Sequence, residues 1–396
     1  MNNQRLPYWR LSSVYFFYFA SLGALMPYFG LYLYSTGFSA VQVGIVFALM
    51  QGTRLVSPGM LAWLSSHFDD RMRLIQYAAL MTTLAFSVLL FRQDFITVLH
   101  VTFWFSFFLN ALLPQFESIT LTKLGKDTHA YSGIRLWGSV GFIATVVGIG
   151  YILDNTALIN WPWLVFVCLV AIFLSSLLLH EKGRRKHPRG KYPIRLIIMK
   201  KNVLALFAVI FLVQASHGPY YAFFSILLDK LNYSETQIGQ FWALGVIAEI
   251  VLFLTIKHVF KRVSLRFVLL LSIFLTITRW FMLAWLPESL IVLLLIQTLH
   301  AASFGSFHVV CIQLIHDYFR GPDQDKGQAL FSSVGYGAGG MMGGLMAGLL
   351  WDQLGEVWVF GGASLLCALA LCIAWLWVET KKDDHLLVSA DVTNPM

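Results

Sequence analysis

Glu117 and Arg135 stand eighteen residues apart on either side of a short polar turn, each inside an apolar stretch long enough to cross a bilayer. An isolated charge at mid-bilayer costs about 2.5 to 3.5 kcal/mol even on the gentlest scale, so such charges usually mark a pathway for a solute or an ion. Arg54, Glu249 and Arg279 lie in comparable surroundings, with His217, His300 and His308 nearby in sequence. The chemistry open to this sparse set is charge recognition and proton exchange. A carboxylate in an apolar cavity takes up a proton when a guanidinium leaves it and releases the proton when the guanidinium returns. Glu249 with Arg279 has the residue types for that switch, the alternative being a static ion pair. His300 and His308, eight residues apart, fall on similar faces of one helix and titrate near neutral pH without special help. They have the types for a proton relay, the alternative being histidines that only hydrogen-bond between helices.

A guanidinium suits bidentate capture of a carboxylate. With Glu117 neutralising Arg135, Arg54 leaves one positive charge in the first half of the chain, which fits an organic anion. Tyr15, Tyr18, Tyr28, Phe142, Tyr220 and Tyr221 would suit an aromatic ring or the apolar face of a sugar, unless they face lipid or only pack.

The elements that must position these groups follow from composition. Residues are 58% hydrophobic, 15% aromatic and only 12% charged, and the mean hydropathy of +0.70 describes a chain solvated mainly by lipid. Apolar runs of about 20 residues predict helices near 11–34, 41–64, 74–92, 96–121, 132–153, 160–180, 203–228, 236–257, 265–285, 289–316, 328–350 and 357–378. A transmembrane barrel would alternate over about ten residues, whereas these runs are apolar on every face. The expected fold is an all-α membrane protein with twelve transmembrane helices in two pseudo-symmetric bundles of six. The expected divisions are 1–180, a basic linker 181–202, 203–380 and a tail 381–396.

Lys and Arg are retained on the cytoplasmic side of short loops. Twenty-three of them flank one side of the predicted spans and only Arg92 and Lys230 the other, which predicts cytoplasmic termini in a cell inner membrane. The net charge of +8 is then a topology signal, and nucleic-acid binding is not expected. The run EKGRRKHPRGK at 181–191 reads as a retention signal, with contact to anionic lipid as the alternative. The first apolar run is too long for a signal-peptide core and reads as an uncleaved helix. Cys168, Cys311, Cys367 and Cys372 show no metal-site spacing, so neither a disulfide nor a metal is expected.

The two halves repeat. Ser39, Gln42, Gly44, Ala48 and Leu49 recur at an offset of 195 as Ser234, Gln237, Gly239, Ala243 and Leu244. Gly133, Leu136, Ser139, Val140 and Gly141 recur at 194 as Gly327, Leu330, Ser333, Val334 and Gly335. Two matches at nearly one offset predict a duplicated six-plus-six transporter, its halves related by an axis along the membrane normal and its solute held between them at mid-depth. On that offset Arg54 falls on Glu249, so equivalent positions carry opposite charges. Small-xxx-small spacing from Gly335 to Gly348 predicts close helix approach.

The runs PYWRLSSVYFFYFASLGALMPYFGLYL, LSSHFDDRMRL, YSGIRLWGSVGF, GVIAEI and TLHAASF resemble the major facilitator superfamily, specifically its lactose permease and 3-phenylpropionate permease branches. RLWGS and HGPYYAFFS look closest to the phenylpropionate group. The resemblance implies that Glu117 and Arg135 match a substrate-binding pair on helices 4 and 5. It also implies that Glu249, Arg279 and His300 match the coupling cluster of helices 8, 9 and 10. Three departures stand out. Ser303 holds the place of the acid that carries the proton in lactose permeases, Phe142 that of a sugar-stacking tryptophan, and Ser65 or Ser66 that of a loop aspartate, for which Asp69 and Asp70 are the available substitutes. Proline is missing from 132–153, where drug antiporters of this superfamily usually carry one, which favours uptake over efflux.

The expected function is a proton-coupled importer of a small organic solute working as a monomer, an aromatic monocarboxylate ahead of a sugar or nucleoside, without a cofactor. The substrate-binding set is Glu117, Arg135, Arg54, Phe142, Tyr15 and Tyr220; the coupling set is Glu249, Arg279, His300 and His308. A polytopic enzyme would need a compact catalytic group, for which His67 with Asp69 and Asp70, or His316 with Asp317, are the candidates. A sensor would be expected to add a signalling domain, and only about eighteen residues follow the last span.

Overall fold

A helix satisfies its own backbone in lipid, and the computed structural model is helical, with no strand among the residues it describes: 7–65, 67, 70–125, 130–179, 195–260 and 263–378. The membrane spans are α1 (Tyr8–Ser35), α2 (Ala40–Ser65), α3 (Arg71–Leu90), α4 (Phe95–Leu124), α5 (Ala130–Asn155) and α6 (Leu158–Leu177). They continue with α7 (Lys201–Lys230), α8 (Glu235–Ile256), α9 (Leu265–Trp285) and α10 (Leu290–Tyr318). One further apolar stretch, Gln324–Trp377, has 54 residues and would run about 80 Å if straight. Gly355 breaks it with φ 80° and ψ 170°, a conformation that only glycine adopts cheaply. It therefore supplies two spans, α11 (324–354) and α12 (356–377), and the count reaches the twelve expected. The tail, most of the linker, and Ser66 and Asp69 of the 2–3 loop lie outside the described residues.

Prolines cause the irregularities at mid-span. Pro58 follows a 3-10 turn at Thr53–Leu55 in α2, and Pro114 and Pro219 sit inside α4 and α7. A proline cannot donate to the carbonyl four residues back and crowds it, which affects Arg54, Asn110 and Ala215 respectively. Two π-helical turns, Ala301–Ser306 in α10 and Ser332–Gly339 in α11, add to these interruptions. Such turns gather at functional sites.

The chain forms two compact units. The first holds α1 to α6 together with Tyr221–Ala243 and Gly344–Leu349; the second holds the remainder of α7, α8 and α11 with α9, α10 and α12. In the first, the fully buried Trp161 stacks on Phe29 at 5.0 Å and 13° and donates to Ala24 O at 2.8 Å, beside the bend at Pro27. In the second, Trp280 donates to Ser216 Oγ at 3.0 Å, and Arg266 donates to the carbonyls of Trp375 and Val378 at 2.6 and 3.3 Å, satisfying the C-terminal end of α12.

The sequence repeat has a physical counterpart. Ser39 N–H donates to Gln42 Oε1 at 3.0 Å and Gln42 N–H to Ser39 Oγ at 3.3 Å; Ser234 and Gln237 make the same reciprocal pair at 2.9 and 3.4 Å. Both halves thus open their second helix with one capping box. The recurring Gly141 and Gly335 are both close-approach points: a Cβ would strike Phe16 O of α1 at the first and Ile210 Cγ2 of α7, at 2.9 Å, at the second.

Candidate functional site

In the first unit the ionisable groups gather around α1, α2, α4 and α5. Glu117 is hydrogen-bonded by the Tyr131 phenol and lies within electrostatic reach of Arg135, without a direct ion pair among the described residues. Arg135 lies flat against Phe19, its guanidinium carbon 4.0 Å from the ring centroid. A stacked guanidinium keeps its in-plane donors available for an anion while its face is held by the ring. Tyr15, buried at the α1 side of this group, donates to Thr120 Oγ1 at 3.2 Å, one turn from Glu117. Tyr18 feels the charges of Arg54, Glu117 and Arg135 together, which ties the α2 arginine to the α4–α5 pair.

Arg54 itself leaves the 3-10 turn of α2 and donates from Nε to Asn110 Oδ1 at 3.0 Å. Asn110 Nδ2 donates to Met50 O at 3.0 Å and to Thr53 Oγ1 at 2.9 Å; Thr53 Oγ1 is also hydrogen-bonded to Ser106 Oγ at 3.0 Å. Tyr131 and Asn110 were missed by sequence reasoning. The signal for Tyr131 was its place four residues before Arg135, on the same helix face. Phe142 is 9% exposed, and its carbonyl abuts Gly23 of α1, so its backbone serves helix packing.

The second unit holds a more deeply buried cluster. Arg279 and Gln297 are 0% exposed and Tyr220 is 1% exposed. The Arg279 guanidinium lies against two neighbouring rings, 4.5 Å from the Tyr220 centroid and 4.4 Å from the Trp280 centroid, and donates to Ser303 Oγ at 3.1 Å. The serine that replaces the expected acid therefore faces this arginine as a neutral acceptor. Glu249 Oε1 lies 3.7 Å from His300 Nε2, and its charge is felt by Tyr220 along with that of Arg279. Tyr220 donates to Gln297 Oε1 at 2.9 Å. The structure thus brings Tyr220, expected with the aromatic residues of the solute site, into the company of Glu249, Arg279 and His300. Gln297, one turn before His300, is another residue that sequence reasoning passed over. Its Nε2 and His300 Nδ1 are buried without a hydrogen-bond partner among the described residues, an arrangement costly enough to call for a water or a moving partner.

The two α10 histidines are not adjacent. Phe304 stacks between them, 5.3 Å from the His300 ring and 6.3 Å from the His308 ring, and His308 Nδ1 is 2.9 Å from Tyr336 OH on α11. His217, fully buried, packs edge-on against Trp280 at 5.0 Å.

Similarity to known proteins agrees with this architecture. Residues 8–361 match the family described as MFS_1 like family. The chain is 27% identical over 373 residues to a probable 3-phenylpropionic acid transporter of Escherichia coli (strain K12), covering 89% of this chain and 93% of that one. It is 23% identical over 393 residues to the uncharacterized transporter YwbF of Bacillus subtilis (strain 168), covering 98% of each. The crystal structure of nucleoside transporter NupG superimposes with a TM-score of 0.83 at 16% identity, over 94% of this chain and 99% of that one, a likeness of fold. The chain belongs to the MFS_1-like family of the major facilitator superfamily and is a multi-pass membrane transporter, not an enzyme.

Proposed function

We propose that this transporter imports a small organic carboxylate together with a proton by alternating access, an aromatic monocarboxylate such as 3-phenylpropionate being favoured over a sugar or a nucleoside. The observation that carries this reading is the charge arithmetic of the first unit. Two arginines, Arg54 and Arg135, share one carboxylate, Glu117, among Tyr15, Tyr18, Phe19 and Tyr131. Two guanidinium groups beside a single carboxylate, in an aromatic and half-buried setting, suit an anion that carries an apolar ring. The 27% identical relative is named for such an acid, which supports the same choice.

Proton coupling is assigned to Glu249, with Arg279 and His300 beside it. Arg279 is bonded to the neutral Ser303, so in this cluster Glu249 is the carboxylate that can change its protonation. His308, bonded to Tyr336 and screened by Phe304, is assigned to the joint of α10 and α11 and His300 to the proton path. The basic loops support an inner-membrane protein with both termini cytoplasmic and solute-binding halves at 1–180 and 203–380.

Uptake into proteoliposomes, with and without an imposed proton gradient, tests the whole reading over a panel of 3-phenylpropionate, lactose and uridine. Gradient-dependent accumulation of 3-phenylpropionate alone is the expected result. Accumulation of lactose or uridine in its place would turn the assignment to a neutral solute, and gradient-independent uptake would remove the proton.

A further inference from the structure

One polar side chain of the first unit has every hydrogen-bonding group engaged on α2 and carries no charge at all. Asn110 has one acceptor oxygen and two amide hydrogens, and each is committed: Oδ1 to Arg54 Nε at 3.0 Å, Nδ2 to Met50 O at 3.0 Å and to Thr53 Oγ1 at 2.9 Å. Turning the amide over would set its NH2 against the Nε–H of Arg54 and its oxygen against the Met50 carbonyl. Both clashes fix the orientation of the group. Asn110 therefore grips α2 at its irregular turn, on the carbonyl of Met50 before it and on the side chains of Thr53 and Arg54 within it.

The prolines explain why the grip is at this depth. Arg54 lies four residues before Pro58 and Asn110 four residues before Pro114, so both partners stand where a proline ring disturbs their own helix. α2 passes from α-helix to a 3-10 turn at Thr53–Leu55 and resumes at Ser57. Without a clamp from outside, the direction in which Arg54 leaves such a turn would be loosely held. With Nε engaged, the plane of its guanidinium is set by α4.

We propose that Asn110 is a positioning residue: it directs the Arg54 guanidinium toward the carboxylate of the solute, without touching the solute itself. The inference rests on the carboxylate reading above, and it predicts an effect that packing alone would not produce. Asn110→Asp keeps an oxygen opposite Arg54 Nε but adds a negative charge that cancels the arginine. In the purified full-length protein, the Kd for 3-phenylpropionate is expected to rise at least about tenfold, while that for the neutral 3-phenylpropionamide stays within about twofold. In an Arg54→Gln background the Asn110→Asp change should add nothing, because its route to the solute has been removed.

Wild-type affinity for 3-phenylpropionate in Asn110→Asp overturns the inference, as does an equal loss for acid and amide, or a full additive loss on top of Arg54→Gln. Unchanged affinity in Arg54→Gln alone overturns the carboxylate reading at Arg54, and the inference falls with it; the two failures are read from different variants. Should Asn110→Asp not fold, Arg54→Lys asks the same question. It retains the charge but has no Nε–H for Asn110 to hold, so a loss of about tenfold is expected, with no further loss on Asn110→Ala. Full affinity in Arg54→Lys overturns the proposal.

Discussion

Arg54 and Glu249 occupy matching positions in the two repeats, and the material around them differs in kind. Arg54 is half-buried and held through neutral amide and hydroxyl groups of Asn110, Thr53 and Ser106. Glu249 borders a cluster in which an arginine with no exposed surface lies against two aromatic rings, beside His300 and Gln297. Apart from Glu249, the second cluster has no ionisable counterpart in the first half: Arg279 maps on Leu84, His300 on Phe105 and Ser303 on Phe108. Conversely Glu117 and Arg135 map on Ile312 and Ala329. A duplicated scaffold has kept its caps and glycine contacts and divided its chemistry. An accessible guanidinium set is suited to hold a guest that comes and goes, and a sequestered set to hold an exchange of internal partners, where each lost contact is costly.

The largest test of that division is a change that stops one task and spares the other. On the proposed reading, Glu249→Gln lowers gradient-driven accumulation at least about 100-fold while counterflow of 3-phenylpropionate, which needs no net proton movement, persists. Intact accumulation would move the proton elsewhere. The converse change, Arg135→Ala, is expected to raise the Kd for 3-phenylpropionate by about 10- to 100-fold, the range for a lost hydrogen bond to a charged group. Calorimetric titration showing unchanged affinity would take Arg135 out of the solute site and leave its stacking on Phe19 as a packing contact.

What could be read from the chain divides along the same physical line. Charges were legible because an ionised side chain in an apolar span is too costly to be accidental, and Arg54, Glu117, Arg135, Glu249 and Arg279 were all found that way. Span number and the repeat were legible because length and periodicity are set by the bilayer and by duplication. Asn110, Tyr131 and Gln297 were not, since a neutral polar side chain scarcely lowers the hydropathy of its span and its importance appears only when its partners are known. The relation of His300 to His308 was legible only in part. Helical spacing puts them on similar faces, and both stack on Phe304 there, but the ring interposed between them does not follow from a count of eight residues. Tyr220 was grouped by its aromatic character, whereas its phenol and ring face are both spent on Gln297 and Arg279.

Smaller effects are expected where the repeat is purely structural. Asp154, at the end of α5, receives the backbone N–H groups of Glu235 at 2.8 Å and Thr236 at 3.2 Å, the Ser234 hydroxyl at 3.0 Å and the Thr236 hydroxyl. It thereby serves as a second cap on α8 supplied from another helix, beside the Ser234–Gln237 box. Asp154→Ala should cost about 1 to 2 kcal/mol, seen as a lower thermal midpoint in detergent, with Asp154→Asn recovering part of the loss. An unshifted midpoint would mean that the four contacts are replaced by water without cost.

The finest comparison sets the two repeats against each other. Ser39→Ala removes the bond accepted from Gln42 N–H and the long donation to Gln42 Oε1 at 3.4 Å, both within the box, and should cost about 0.5 to 1 kcal/mol. Ser234→Ala removes the equivalent bond from Gln237 N–H together with the donation to Asp154, so it should cost more than its counterpart by a few tenths of a kcal/mol to about 1. In an Asp154→Ala background that excess should vanish and the two serines should become equal, because the capping box is then all that either one makes. If the excess survived the loss of Asp154, its source would lie in something other than the α5 carboxylate, and the two boxes, alike in hydrogen bonding, would differ in a way their shared geometry does not account for.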